Sequence, residues 1–284
     1  MRDNFDFTAL STFLTCRRKY DLRMNKGYVR KQELKPVHFG KAIHKALDGW
    51  YLTKDVGKSI EIFKANFTED LENDDKRTNR MGEWIMTNYD KQYRDQPWEL
   101  VNNEMTFSIP LAPDFTFVGR IDKIIKWNDC FYVVDHKTTS SLGASYFNMA
   151  EPNMQFMGYA FAGKQLGYDI KGVIVDAILV AKGLLPSDAT TGTRKNPNLT
   201  PFARYDVYYK QEHFDEWLAT VLGAREDIKA CDEGHGKWYP NFEACTHFGE
   251  CAYRRVCKED QAIRQRILDM DYEIDFWDPL KKEE

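Results

Sequence analysis

The chain has 284 residues, a hydrophobic content of 43% and a formal net charge of −4, which suits one large domain or one domain with appended lobes. It has no apolar run near the ~18 residues of a membrane-spanning helix. Met1 to Asp6 also lacks the apolar stretch of a signal peptide, so a cytoplasmic protein with no membrane partner is expected. The acidic balance argues against a protein that coats nucleic acid, but the charge is unevenly spread. Arg17 to Lys45 holds ten Lys/Arg against two Asp/Glu, while seven Asp/Glu oppose two Lys from Leu268 onward. A basic N-terminal face can follow a phosphate backbone; a solvated helix face is the plainer explanation.

In chain order, Ser11 to Arg23 reads as a short helix with Phe13, Leu14 and Tyr20 as its apolar positions. A second helix is expected over Phe39 to Leu52, where Phe39, Ile43, Ala46, Leu47 and Trp50 recur at helical spacing. A polar helical stretch from Lys58 to about Arg94 is broken by the charged run Glu72 to Arg77. Strands follow over roughly Trp98 to Ile109, Phe115 to Trp127 and Phe131 to Lys137, with turns at Pro110 to Pro113 and at Asn128-Asp129. A helix from about Glu151 to Leu166 is opened by Pro152 and stopped by Gly167. Val173 to Val180 is an almost unbroken apolar strand, as a sheet covered on both faces requires.

Gly183 to Pro201, rich in Pro, Gly, Ser, Thr and Asn, reads as a long flexible loop. A strand at Arg204 to Tyr209 and a helix from Gln211 to about Cys231 complete the core; the cysteine-rich segment and an acidic tail come last. The expected architecture is α/β, a mixed sheet flanked by helices. It divides into an N-terminal helical part (1–97), a core (98–232) and a terminal cysteine segment with the tail (233–284).

The chemistry concentrates in Gly119-Arg120-Ile121-Asp122 and Asp135-His136-Lys137. On a strand, residues two apart share a face, so Asp135 and Lys137 point the same way and Asp122 can join them from the preceding strand. Two carboxylates beside a lysine offer hard oxygen ligands for Mg²⁺ or Mn²⁺ and a cation for a phosphate undergoing attack. His44 is a third candidate ligand, and an imidazole tilts the set toward Mn²⁺. Taken singly, D-x-K is a common surface tripeptide and a helix histidine is ordinary; the joint pattern is far more specific. No G-x-x-x-x-G-K-[ST] occurs, so the chain carries no NTP motor of this kind.

Five segments, in order, resemble the PD-(D/E)XK nuclease superfamily in its RecB-like branch. Ser11 to Tyr20 resembles the S-x-F-x-x-C-x-x-x-Y signature, and Gly40-Lys41-Ala42-Ile43-His44 the G-x-x-x-H helix. Gly119 to Asp122 resembles G-x-x-D, Asp135 to Lys137 D-x-K, and Gln155 to Tyr159 the Q-x-x-x-Y helix. Ile121 stands where the superfamily name has Pro, a departure frequent in the branch. The resemblance implies a restriction-endonuclease-like sheet and a metal-dependent DNA exonuclease serving DNA processing, recombination or repair. It implies metal ligation by His44, Asp122, Asp135 and the backbone carbonyl of His136. Lys137 would be the catalytic lysine, and Gln155 and Tyr159, one helical turn apart, would support the site or touch DNA. Glu104 falls where relatives often carry an acidic strand residue, although a surface strand glutamate is the plainer explanation. DNA is the expected partner, with a single-strand-binding, recombination or helicase protein as a further one. The competing reading is a non-catalytic DNA-binding or assembly subunit on the same fold.

Cys245, Cys251 and Cys257 form C-x5-C-x5-C, with Cys16 far upstream. The set resembles the iron–sulfur staple of AddB-type and CRISPR-associated nucleases, which implies a [4Fe-4S] cluster held by four thiolates. The first interval is longer than the C-x-x-C of some relatives. Zinc on the same thiolates, with His247 as a further candidate ligand, and plain structural cysteines stay open; disulfides are disfavoured in an intracellular chain. Cys130 and Cys231 read as buried spares.

Overall fold

A computed structural model describes residues 3–31, 34–69, 74–186, 196–246 and 250–281. The element order is β1 (Asn4–Phe5), α1 (Phe7–Thr15), α2 (Arg17–Tyr20), β2 (Tyr28–Arg30), α3 (Lys35–Thr53), α4 (Val56–Asn66), α5 (Asn79–Tyr93), β3 (Glu99–Ala112), β4 (Phe115–Trp127) and β5 (Cys130–Thr139). Then come α6 (Ala144–Phe147), α7 (Met154–Gln165), β6 (Ile170–Leu179), β7 (Phe202–Val207), α8 (Gln211–Asp232), α9 (Arg254–Lys258), α10 (Gln261–Asp271) and β8 (Tyr272–Ile274). Of the long loop read at 183–201, residues 187–195 lie outside the described residues, as do Glu72 and Asn73 of the charged run and His247.

Several boundaries differ from the sequence reading for local reasons. The first helix starts earlier, because the Asp6 side chain accepts from the Ala9 N–H at 3.0 Å and caps it. It then breaks at Cys16, whose backbone is extended (φ −163°, ψ 112°), and α2 runs into one π-helical turn at Asp21–Asn25. Pro152 does not open α7; Asn153 caps it, its side chain accepting from the Gln155 and Phe156 N–H groups. β3 continues through Pro110 to Ala112, so the turn falls at Pro113-Asp114.

The chain forms two compact units. The first comprises Met1–Gln32, Thr106–Arg120 and Lys210–Glu284. In it, β1 pairs in parallel with the start of β4 through Asn4↔Thr116 and Phe5↔Phe117, and β2 pairs antiparallel with β8. The Phe117 ring packs on Trp217 of α8 at 5.1 Å. Arg225, 1% exposed, donates to the Asp114 carboxylate at 3.0 Å, which satisfies an otherwise costly buried charge.

The second unit comprises Glu33–Met105 and Ile121–Tyr209 and holds most of the mixed sheet, in the order β4-β5-β6-β7. β4 runs antiparallel to β5, β5 parallel to β6, and β6 antiparallel to β7. One face of this sheet, through Ile178 and Phe202, joins Phe39, Ile43, Leu47, Trp50, Ile85 and Tyr89 of α3 and α5 in a buried cluster. Burying each such side chain contributes about 1.5–3 kcal/mol. The opposite face meets α7, whose Phe156 ring lies 5.9 Å from Lys137 Nζ. The architecture is thus the expected mixed sheet flanked by helices. No helix among the described residues is long and apolar enough to cross a membrane.

Candidate active site and cysteine cavity

Strand alternation sorts the candidate residues. β5 and β6 pair as Asp135↔Val175, His136↔Asp176 and Lys137↔Ala177, and β6 and β7 as Val175↔Tyr205, Asp176↔Arg204 and Ala177↔Ala203. Partners in register share a face. Asp135, Lys137 and Tyr205 therefore stand on the α7 face, and His136, Asp176 and Arg204 on the α3/α5 face. Asp122 lies one residue before the pair Lys123↔Val134, and its Oδ2 accepts from the His136 N–H at 3.0 Å. His44 reaches the same oxygen, its Nδ1 at 3.4 Å. Four residues before His44, a Cβ on Gly40 would lie 3.2 Å from Thr138 Oγ1 of β5, so the absence of a side chain lets α3 approach that strand.

Lys137 Nζ donates to Asp135 Oδ1 at 3.2 Å and stands 2.9 Å from Oδ2. Oδ2 nonetheless has no hydrogen bond of acceptable direction and is buried. Burial pushes the Asp135 carboxyl up, with the Lys137 charge opposing. At Asp122 burial also pushes up, but His44 leads the neighbouring charges that outweigh it and hold the carboxyl down. Lys137 is kept charged, because its carboxylate neighbours outweigh its desolvation. On α7, the Gln155 side-chain amide donates to the Tyr159 hydroxyl at 3.0 Å, as residues four apart on a helix allow. Glu104, in β3, adopts a left-handed backbone at φ 53°, uncommon for a residue other than glycine.

The sequence reading missed the ionic groups behind the site. Lys123, 0% exposed, pairs with Asp48 of α3, donates to the Asp122 carbonyl at 3.2 Å and lies 5.4 Å from the centre of the Tyr51 ring. Asp48 follows His44 by four residues, and burial raises its carboxyl despite Lys123. On the same face the Tyr89 hydroxyl donates to Asp176 Oδ2 at 2.5 Å, and Arg204 donates to it at 3.2 Å. The His136 imidazole stacks on Tyr51 at 5.5 Å; burial lowers its basicity and keeps it neutral. Its side chain is thus a packed core group, leaving only its backbone for ligation. Alternation and helical spacing hint at Lys123 and Asp48, but only the packing of α3 on the sheet brings them together.

In the first unit, Cys16, Cys245, Cys251 and Cys257 line one cavity together with Thr15, Lys19 and Asn241. All are free thiols. Cys16 Sγ accepts from the Asn241 N–H at 3.3 Å, and the Cys251 N–H donates to the Cys245 carbonyl at 3.0 Å. Burial pushes the Cys245 thiol up, and Cys251, Cys257 and Cys16 push it further. Cys231 is buried in the last turn of α8, its thiol facing the Lys237 carbonyl, and Cys130 is half-buried at the start of β5. Among the described residues, no group of three or more His, Cys, Asp or Glu is placed to hold a metal ion. The donor chemistry is nonetheless suitable in both places. The carboxylates include a buried oxygen with no hydrogen bond, and four thiols share one cavity.

A family model for the PD-(D/E)XK nuclease superfamily matches residues 5–258, and the chain belongs to that superfamily. Among solved structures it is similar to a "Putative exonuclease" from Eubacterium rectale, at 12% identity over 93% of this chain and 92% of that one, with a TM-score of 0.52. That likeness concerns the fold alone. A likeness to SSO0001 has a TM-score of 0.34 at 14% identity over 88% of this chain and 94% of that one, too low to argue from. No curated protein matches the chain. The fold and family thus define a nuclease.

Proposed function

We propose that the chain is a divalent-metal-dependent DNA exonuclease. The observation that carries this reading is the Asp135–Lys137 pair on one strand face, with Asp122 and His44 beside it and a buried Asp135 oxygen left without a hydrogen bond. His44, Asp122, Asp135 and the carbonyl of His136 would hold Mg²⁺ or Mn²⁺. Bound there, the ion supplies Lewis-acid polarisation of a phosphate and acidifies water. Lys137 stays cationic beside Asp135 and stabilises charge that grows on the phosphorus oxygens. Gln155 and Tyr159 position the phosphate-facing surface of α7.

Degradation of end-labelled linear and circular DNA with Mg²⁺ or Mn²⁺ tests the reading. Loss of label from linear DNA with circles spared is expected; cleaved circles overturn the exonuclease assignment. DNA binding without any cleavage favours the assembly-subunit reading.

The cysteine cavity supports a second metal site. Four unpaired thiols of soft donor character suit a [4Fe-4S] cluster. Such a cluster would be structural, tying Cys16 to the C-terminal cysteines. Stoichiometric zinc in purified protein would replace it with a zinc staple.

A further inference from the structure

We propose that the Phe147–Tyr205 ring pair is a stacking platform for an unpaired base and biases the enzyme toward single-stranded DNA. The inference rests on the nuclease reading above. Tyr205 occupies the same row as Asp135, through Asp135↔Val175↔Tyr205. Two strand spacings of about 4.8 Å put the two α-carbons roughly 10 Å apart, with both side chains on the α7 face. A phosphate held at Lys137 therefore has its nearest bases within reach of Tyr205.

The pair has the form such a platform needs. β7 ends the strand order of the sheet, and Tyr205 is 37% exposed there. The Phe147 ring stacks on it at 5.3 Å and 26°, and Tyr146 meets Phe147 edge-on at 5.3 Å. Both come from α6, which follows β5 directly, so the chain that carries Lys137 also delivers the aromatic partner. Asp206, whose charge would repel a strand, alternates to the other face of β7. Aromatic faces accept any base but need that base unstacked, so the platform favours single strands without choosing a sequence.

Fluorescence anisotropy in Ca²⁺, with labelled dT20, a 20-unit abasic strand and a 20-base-pair duplex, tests this on the intact chain. Tyr205→Leu keeps an apolar side chain against Phe147 but has no π-face; Tyr205→Trp keeps the face. Tyr205→Leu should bind dT20 about five- to a hundred-fold more weakly than wild type. It should leave abasic-strand and duplex affinities within about twofold, and Tyr205→Trp should behave as wild type. Equal dT20 affinity for wild type and Tyr205→Leu would reduce the pair to apolar cover and overturn the proposal. If that occurs while wild type still degrades DNA, the nuclease reading stands without the platform. If wild type neither binds nor degrades DNA, both fall.

Discussion

Asp135 and Lys137 satisfy each other only partly, and the proposed cation and phosphate would use that remainder. Asp135→Ala or Lys137→Ala should lower DNA cleavage at least about 10²-fold, with melting curves close to wild type. Retention of more than a tenth of the wild-type rate by either variant would sink the assignment. Lys123 behaves differently because it is enclosed. Removing it leaves Asp48 facing the interior without its cation, and breaking such a pair costs about 3–5 kcal/mol. Asp48 keeps 19% of its side chain exposed, so Lys123→Ala should lose about 3 kcal/mol in urea unfolding, and Lys123→Met with Asp48→Leu should regain most of it. Strand alternation made Asp135 and Lys137 readable from sequence. Asp48 was not readable, because nothing local says which helix covers Lys123.

Helix α5 lies so close to α4 that a Cβ on Gly82 would sit 2.1 Å from Phe63 Cε1. Alanine gains about 1 kcal/mol of helix propensity over glycine, whereas overpacking a core costs about 1–3 kcal/mol. Phe63 is fully buried and has little room to yield, so the clash should win. Gly82→Ala should lower the thermal midpoint; a raised midpoint would mean that Phe63 moves aside freely. Periodicity reveals such helices but not their breaks. The apolar spacing of Phe13 and Tyr20 passes through Cys16 without interruption, yet the backbone there is extended. The two-residue strand β1 is too short to leave any pattern, and Asn153 rather than Pro152 decided where α7 begins.

Across the whole molecule, the expected mixed sheet was legible because its strands are long and apolar. The division into two units was not, since each is assembled from separated stretches and composition changes at none of the joins. The cysteine set spans the same distances. Cys16→Ser should match Cys245→Ser, Cys251→Ser and Cys257→Ser in losing iron and thermal stability, whereas Cys130→Ser and Cys231→Ser should lose neither. Anaerobically purified wild type should carry about four irons per chain with broad absorbance near ~400 nm. Colourless, iron-free and zinc-free protein that stays folded and active would refute the staple. In turnover assays Mn²⁺ should outperform Ca²⁺, which should support DNA binding without cleavage because its loose coordination orients water poorly; efficient Ca²⁺-driven cleavage would contradict that ligand set.

The interleaving of the two units also orders events during synthesis. The second unit has its last residue, Tyr209, while Lys210–Glu284 is still unmade, so its sheet can close early. Met1–Gln32 is made before the rest of its unit and must wait for α8 and the C-terminal cysteines before that unit can form. At about 5–20 residues per second, that delay is on the order of ten to fifty seconds. Throughout it, the face of α1 that meets α8 is without its final partner and open to chaperones, and Cys16 is made before the other three cysteines of the cavity exist.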